Sequence, residues 1–544
     1  MTDTHDKNKP VQSRQAAELA IHQILAQYKI QILHSDACIA EAEHLQAHPG
    51  FDDAALTQWQ TLPFVTIDNP DSRDLDQALL IETTEDNGYR VRYALADAAY
   101  YVPPGSELFT EAMRRGVTYY TPLLAAPMLP ESLSSGLISL NPNVDRRALV
   151  FDILLDQTGA VLNTSIVRAL IQSQGKLSYE SVQAFLDADN AGLNHEYTAS
   201  TYAPSLRLLR QVGEILIQRA HDRDVIPFNR SEAQIEITDY GITLVQRLRV
   251  RTEKYNEQIS LLCNMQGAEM LKGLSQNNDQ LQAIFRAHDA PLAGRLSSLR
   301  RLLTQVSELP GLGDQWRWKK DQSLADYVTS LPDDENTHGK LLAIERQILV
   351  SNQASEYRSE PGRHHALAAS SYARFSSPMR EIVGIFTHKE LLEALGVVPS
   401  NFAVNTTSTQ DDNALREEII TIANQSRQTQ KQINKAVEFY ALQSVLESDL
   451  STNPRPQRDA IIMGFKRDRI YLACNDIAVD LKVTKSDIET QYKTTYEFGD
   501  LTGVPVSTDA PTWHLGDSVT VSTQGFNKET KRYQLNLHET NMHV

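Results

Sequence analysis

At 544 residues the chain exceeds what one hydrophobic core usually supports, so two or three domains are expected. Apolar residues make up 41% and charged residues 22%, as in an ordinary soluble globular protein, and the net charge of −17 argues against a uniformly basic nucleic-acid binder while leaving room for a local basic channel. Cys38, Cys263 and Cys474 form no Cys-x-x-Cys pair, no run of 18 apolar residues exists, and the polar N-terminus lacks an apolar signal core, so a zinc ribbon, a disulfide framework and a membrane span are unsupported and a cytoplasmic protein is expected.

Residues 1 to about 12 read as a disordered tail. From Ser13 to about Gln46, Ala17, Leu19, Ala20, Ile24, Leu25 and Tyr28 recur at helical spacing, which predicts two helices. Phe64 to Ile67 reads as a buried strand that runs into a turn carrying Asp68, Asp71, Asp74 and Asp76, before the chain re-enters an apolar run from Ala78 to Ile81. Arg73 is the sole basic residue beside these carboxylates. Their repulsion is relieved most simply by a divalent cation, because hard oxygen ligands suit Mg²⁺ or Mn²⁺. The Asn-Pro-Asp-Ser composition suits an ordinary exposed turn as well.

From about Pro63 to Gln174, apolar strand-like runs alternate with turns: Tyr89 to Leu95, Ala148 to Leu155 and Val161 to Val167, with a hairpin turn at Asp156-Gln-Thr-Gly. Helical patterns follow over Leu206 to Arg223, Glu257 to Gly273, Pro291 to Val306 and Lys340 to Ser351. This order predicts an α+β domain with helices gathered around a sheet. Ser400 to Asn413 reads as a polar loop and Glu417 to Asp449 as a long helix. Beyond Pro454 come five short strands, Asp459 to Phe465, Arg469 to Ala473, Ile477 to Leu481, Ser518 to Ser522 and Tyr533 to Leu537, a pattern that suits an OB-type barrel. Lys466, Arg467 and Arg469 either face phosphates or form a solvated basic turn.

The pattern Thr66-Ile-Asp, five residues, Asp74-Leu-Asp76 and an apolar strand resembles the signature of the RNB domain of ribonuclease II, ribonuclease R and the exosome nuclease. Further blocks agree in order: Gly116-Val-Thr-Tyr-Tyr-Thr-Pro, Pro127 to Leu140, Asp145-Arg-Arg-Ala-Leu, Glu257 to Asn264, Phe285-Arg-Ala-His-Asp-Ala-Pro and Phe375-Ser-Ser-Pro-Met-Arg380. The resemblance covers about Leu62 to Leu395. With the tail and helical extension read over 1–60, it implies an RNB exoribonuclease domain with trailing helices over 61–450 and an S1-type OB-fold β-barrel for RNA binding over 455–544. It also implies a Mg²⁺-dependent (or Mn²⁺-dependent) 3′→5′ exoribonuclease that hydrolyses single-stranded RNA to 5′-mononucleotides. Such a protein acts as a monomer and has no membrane partner.

Carried over residue by residue, Asp68, Asp74 and Asp76 match the first three family aspartates as metal ligands, and Asp76 is the one on which catalysis depends most. Arg380 matches the arginine that lies against the scissile phosphate, where a guanidinium fork binds two oxygens. Tyr120 matches the tyrosine that stacks near the 3′-terminal base, and Phe228 is the candidate for the opposing ring. Arg286 and His288 also match, with capping or core hydrogen bonding an equal reading. Three features depart from the pattern. Gln77 stands where the fourth aspartate belongs, Glu381, Ile382 and Gly384 replace a basic residue, a tyrosine and an aspartate after Arg380, and about 60 residues of helical text stand where two cold-shock barrels are usual. Gln77, Glu381 and Gly384 support the alternative of a catalytically weakened or inactive RNB protein that binds RNA or a ribonucleoprotein.

Overall fold

The computed structural model describes residues 14–540 apart from 229–230, 239–240, 277, 279, 310–311, 398–408, 475, 478 and 508. The expected tail at residues 1–12 and most of the loop expected at 400–413 lie outside the described residues. Within residues 57–395 the strands are β1 (Thr57–Trp59), β2 (Thr66–Asp68), β3 (Gln77–Thr83), β4 (Tyr89–Ala96), β5 (Tyr119–Tyr120), β6 (Ala125–Ala126), β7 (Asp145–Leu155), β8 (Val161–Gln172) and β9 (Lys176–Ser178), with two further short strands at Phe285–Ala287 and Glu356–Arg358 and a hairpin over 231–248.

Five of them form the central sheet in the order β1-β8-β7-β4-β3, antiparallel except where β1 runs parallel to β8. The β7–β8 hairpin closes as expected, its turn held by Asp156 Oδ1, which accepts from the Thr158 and Ala160 amides at 2.8 Å. Side chains alternate along each strand, so Ala78, Leu80, Ala94 and Val150 enter one core while Leu79, Ile81, Tyr93 and Phe151 enter the other. Helix Ile382–Ala394 covers the first face, and helices Tyr179–Asn190, Ala203–Asp222 and Arg251–Ser275 cover the second. A sheet buried on both sides explains why its strands read as near-continuous apolar runs. The α+β expectation holds.

The first helix, Arg14–Gln27, buries Ala17, Ile21 and Leu25 at four-residue spacing, and Ile21 and Leu25 pack with Ile433 and Val437 of the long helix Thr409–Ser451. That helix takes in Thr409 to Asn413, which composition had assigned to a loop. The antiparallel hairpin of Ser231–Thr238 and Gly241–Leu248 is absent from the expected strands, although Glu232, Gln234 and Glu236 alternate with Ala233, Ile235 and Ile237 at the period of two that marks a strand.

The C-terminal strands pair in the order Leu481–Thr484, Arg469–Cys474, Gln457–Lys466, Ser518–Asn527, Arg532–Glu539. The strand expected at Ile477 begins only at Leu481. Among the described residues no ladder joins the two edge strands into a closed barrel. Helix Lys485–Tyr492 fills the gap: the Gln491 side-chain amide donates to Leu537 O and accepts from Leu537 N, both at 2.8 Å, and so mimics a missing strand. Of the basic turn, Arg469 pairs with Asp468 and Lys466 lies over the Tyr471 ring.

Candidate active site

The aspartate turn is anchored rather than loose. Leu75 donates its amide to Ser139 Oγ at 3.0 Å, Ser139 Oγ donates to Arg73 O at 2.8 Å, and Leu140 N donates to Leu75 O at 3.0 Å. The Leu75 side chain enters the core, so the extended chain turns Asp74 and Asp76 the other way. An exposed-turn reading does not survive for Asp76, which is 1% exposed. Asp71 is exposed and has no hydrogen bond or ion pair among the described residues, so nothing supports its standing in for a missing ligand.

Asp76 Oδ1 accepts from the Met379 amide at 3.0 Å, and Oδ2 lies 2.5 Å from Arg380 Nε. That second contact is a charge pair whose N–H is not aligned for a hydrogen bond. Arg380 Nε is also 4.0 Å from Asp74 Oδ2, which accepts from the Tyr120 hydroxyl at 2.6 Å. Asp68 Oδ1 is taken by the Asn69 amide at 2.7 Å, and its charge acts on Arg380. Burial pushes the Asp76 carboxyl up to about 6; Asp74 pushes the same way, and Arg380 opposes both. Burial likewise raises the Tyr120 hydroxyl well above the usual phenol range. The structure thus brings together Asp74, Asp76, Tyr120 and Arg380, with Asp68 within electrostatic reach.

The loop that delivers Arg380 is held from below. Asn264, fully buried, accepts from the Phe375 and Ser376 amides at 2.8 and 3.1 Å and donates to Ser376 Oγ and Tyr372 Oη at 2.9 and 3.0 Å. His388 Nε2 meets Phe375 O at 2.9 Å; burial lowers this imidazole to about 4, so it is a neutral structural prop. Phe375 fits because residue 267 is glycine, where a Cβ would come within 2.3 Å of the ring. Gly384 permits a similar approach, since a Cβ there would lie 2.8 Å from Pro378 Cα.

Two of the departures from the family pattern take on a structural meaning. Glu381 does not oppose an incoming phosphate: its carboxylate accepts from Tyr357 Oη at 2.5 Å and Arg374 Nε at 2.9 Å. Burial raises this carboxyl, and Arg374 with the Tyr357 hydrogen bond outweighs it, leaving the group below its ordinary value. Gln77 donates its side-chain amide to the Ser376 carbonyl, tying β3 to the Arg380 loop. A carboxylate there would meet that carbonyl with no proton to share.

Tyr120 is 42% exposed, and its backbone is clamped by Gln430, whose Oε1 accepts from Tyr120 N at 3.0 Å and whose Nε2 donates to Tyr120 O at 2.9 Å. Phe228 is half-buried against the cluster of Leu299, Leu303 and Trp316. Sequence reasoning missed Gln430, Arg374 and Tyr357, which carry no motif signal, and quoted Asn264 without a role.

Three carboxylates suit a hard dication in kind. Among the described residues Asp68 Oδ2 and Asp74 Oδ1 have no hydrogen-bond partner, and Asp76, raised by burial and then by Asp74, is a carboxyl whose ionised form a dication would favour. Asp68, Asp74 and Asp76 are therefore the residues that would hold such an ion. Glu390, Glu393 and Asp412 gather their oxygens more tightly, within 4.8 Å, but Lys389 Nζ lies among them at 2.8, 2.9 and 3.7 Å and puts a cation where an ion would sit.

The family model described as RNB domain matches residues 57–396. Ribonuclease R of Escherichia coli strain K12 is 28% identical over 491 residues, which is 89% of this chain and 57% of that protein, so the chain spans a little over half of that relative's length. Among solved structures, Mycoplasma genitalium ribonuclease R in complex with ribose-methylated single-stranded RNA superposes with a TM-score of 0.80 at 20% identity, covering 96% of this chain and 78% of that one. Yeast Ssd1, described as a pseudonuclease, superposes with a TM-score of 0.64 at 14% identity, covering 95% of this chain and 59% of that one. With the aspartate turn, the Arg380 loop and a family match over more than half its length, the chain belongs to the RNB-domain family.

Proposed function

We propose that the protein is a divalent-metal-dependent 3′→5′ exoribonuclease that hydrolyses single-stranded RNA to 5′-mononucleotides, with Mg²⁺ or Mn²⁺ held by Asp68, Asp74 and Asp76. The observation that carries this reading is the convergence of Asp74, Asp76, Tyr120 and Arg380, in which two carboxylates meet a single guanidinium and Asp68 lies within electrostatic reach. When bound, the ion supplies charge to activate water and to stabilise the leaving oxygen. The chain's own residues do the rest. Arg380, with its side chain 30% exposed, offers its remaining N–H groups to the phosphate oxygens. Asp76, once ionised, orients the attacking water. The Tyr120 ring presents a face that accepts any base, while its hydroxyl restrains Asp74. The C-terminal sheet, read as a partly open S1-type OB fold, extends the RNA path.

A second reading, a weakened RNB protein that binds RNA, is favoured by one observation: Gln77 is bonded to Ser376 O rather than left free as a ligand. Likeness to a pseudonuclease fold is consistent with it. Incubating the full chain with 5′-labelled oligo(A) and Mg²⁺, with a chelator control, separates the two. A ladder that shortens from the 3′ end and stops with chelation supports the enzyme, whereas an unchanged band that shifts on a native gel supports the binder.

A further inference from the structure

Beside the carboxylate centre lies a half-open cleft of about 630 Å³, and the two share a wall. Gln430 lines the cleft and also clamps the Tyr120 backbone, whose hydroxyl reaches Asp74. Arg286 and Arg427 converge there on a single hydroxyl: Arg286 Nε and Arg427 Nη2 each donate to Ser355 Oγ at 3.2 Å, and Arg427 Nη1 donates to Ser355 O at 3.0 Å. Because that oxygen accepts twice, the Ser355 proton is left to donate elsewhere. Lys431 adds a third cation one helical turn beyond Arg427.

In a chain of net charge −17, two adjacent guanidiniums without a carboxylate partner call for an explanation. Among the described residues neither arginine has an acid within ion-pairing distance. Glu381, near enough to act on both, is committed to Arg374 and Tyr357, and Glu356 on the cleft's rim is paired with Arg358 at 2.6 Å. Burial and the charge of Arg286 both press the Arg427 guanidinium below its ordinary value, the strain an anion would remove. His364, 7% exposed and lining the cleft, has an Nδ1 with no partner. The volume far exceeds what a bare phosphate needs and falls within the range of small-molecule sites.

We propose that this cleft binds a nucleoside 5′-monophosphate, with its phosphate on Arg286, Arg427 and Ser355, as a station for the leaving product. The anion site stands on its own geometry, and its identification as a product station rests on the proposed reaction. The arginine fork binds a terminal phosphate dianion through paired N–H donors, and the amide-rich wall offers the base hydrogen-bonding edges.

Isothermal titration of the full chain in chelator with 5′-AMP, inorganic phosphate and adenosine tests this. AMP is expected to bind more tightly than either fragment, and its affinity is expected to fall at least tenfold in the double variant Arg286→Gln, Arg427→Gln. Asp76→Asn should leave it unchanged. Arg427→Lys keeps the charge without the fork and guards against a misfolded double variant; it should give a partial loss with an unaltered melting temperature. AMP affinity that falls in Asp76→Asn and not in the arginine variants would overturn the proposal, as would phosphate binding as tightly as AMP. A chain that cleaves no RNA yet binds AMP through the arginines would sink the exonuclease reading and leave the cleft; cleavage without AMP binding would do the reverse.

Discussion

Two buried acidic groups stand at neighbouring ends of β3 and β4, and their charge balance differs. Asp97, just past β4, belongs to a set of two acids and two bases: Arg147 lies 3.1 Å from Asp53 and 3.4 Å from Asp97, and Arg168 lies 3.8 and 3.2 Å from the same pair. The Tyr100 ring packs 3.5 Å from the Arg147 guanidinium. Burial raises the Asp53 carboxyl, yet the Ala55 amide and Arg147 outweigh it, and the group ends below its ordinary value. Asp76, just before β3, instead shares Arg380 with Asp74, and burial first, then Asp74, drives it up to about 6 against the pull of Arg380. Balanced burial makes a strut, while unbalanced burial makes a site that a cation and a phosphate can complete.

The largest expected effect falls on the strut. Asp97→Asn leaves two buried arginines short of a charge and should cost about 3–5 kcal/mol of stability, read by urea denaturation. A loss below about 1 kcal/mol would break the contrast.

The second effect is on pH dependence. Asp76 titrates near 6 when folded and near 3.9 when unfolded, so its protonated form favours the fold. The stabilisation it gives is complete below about pH 4 and is lost as pH rises through 6, a change on the order of 3 kcal/mol. In chelator, the parent should therefore lose stability against Asp76→Asn between about pH 4 and pH 7. Asp53 has the opposite sign: its contribution is present above about pH 4 and is lost as pH falls through its lowered folded value.

Gln77→Asp removes the donor to Ser376 O and sets a carboxylate beside Asp76. It should lower stability by about 1–3 kcal/mol and give no gain in cleavage at any Mg²⁺ concentration. Faster cleavage at lower Mg²⁺ would mean the site still awaits its fourth carboxylate. The smallest effect is that of Tyr120→Phe, which keeps the ring and loses the hydrogen bond to Asp74, worth about 1 kcal/mol or roughly fivefold in rate.

Much of this was legible in the chain. The aspartate spacing, the Phe375 to Arg380 block and the strand run-ins located one wall of the site, because ligand spacing and apolar periodicity are local signals. Charge balance was not legible, since Arg380 meets Asp76 across more than three hundred residues of sequence. Glu381 read as a hostile charge because Arg374 and Tyr357 find it only in the fold. Gln430 gave no sign either, being one glutamine in a long polar helix. Among the described residues the OB-type barrel expected of the five C-terminal strands shows no ladder between its edge strands, where a helix whose Gln491 imitates strand pairing lies instead, a role that side-chain chemistry does not announce.

Asp76→Asn tests the central claim most directly when cleavage of 5′-labelled oligo(A) and urea stability at pH 7 are measured on the same preparation. If the unbalanced cluster is a functional site held at a cost to stability, cleavage falls by about a thousandfold or more while stability is unchanged or rises. Undiminished cleavage, or a loss of stability as large as that expected for Asp97→Asn, would contradict it.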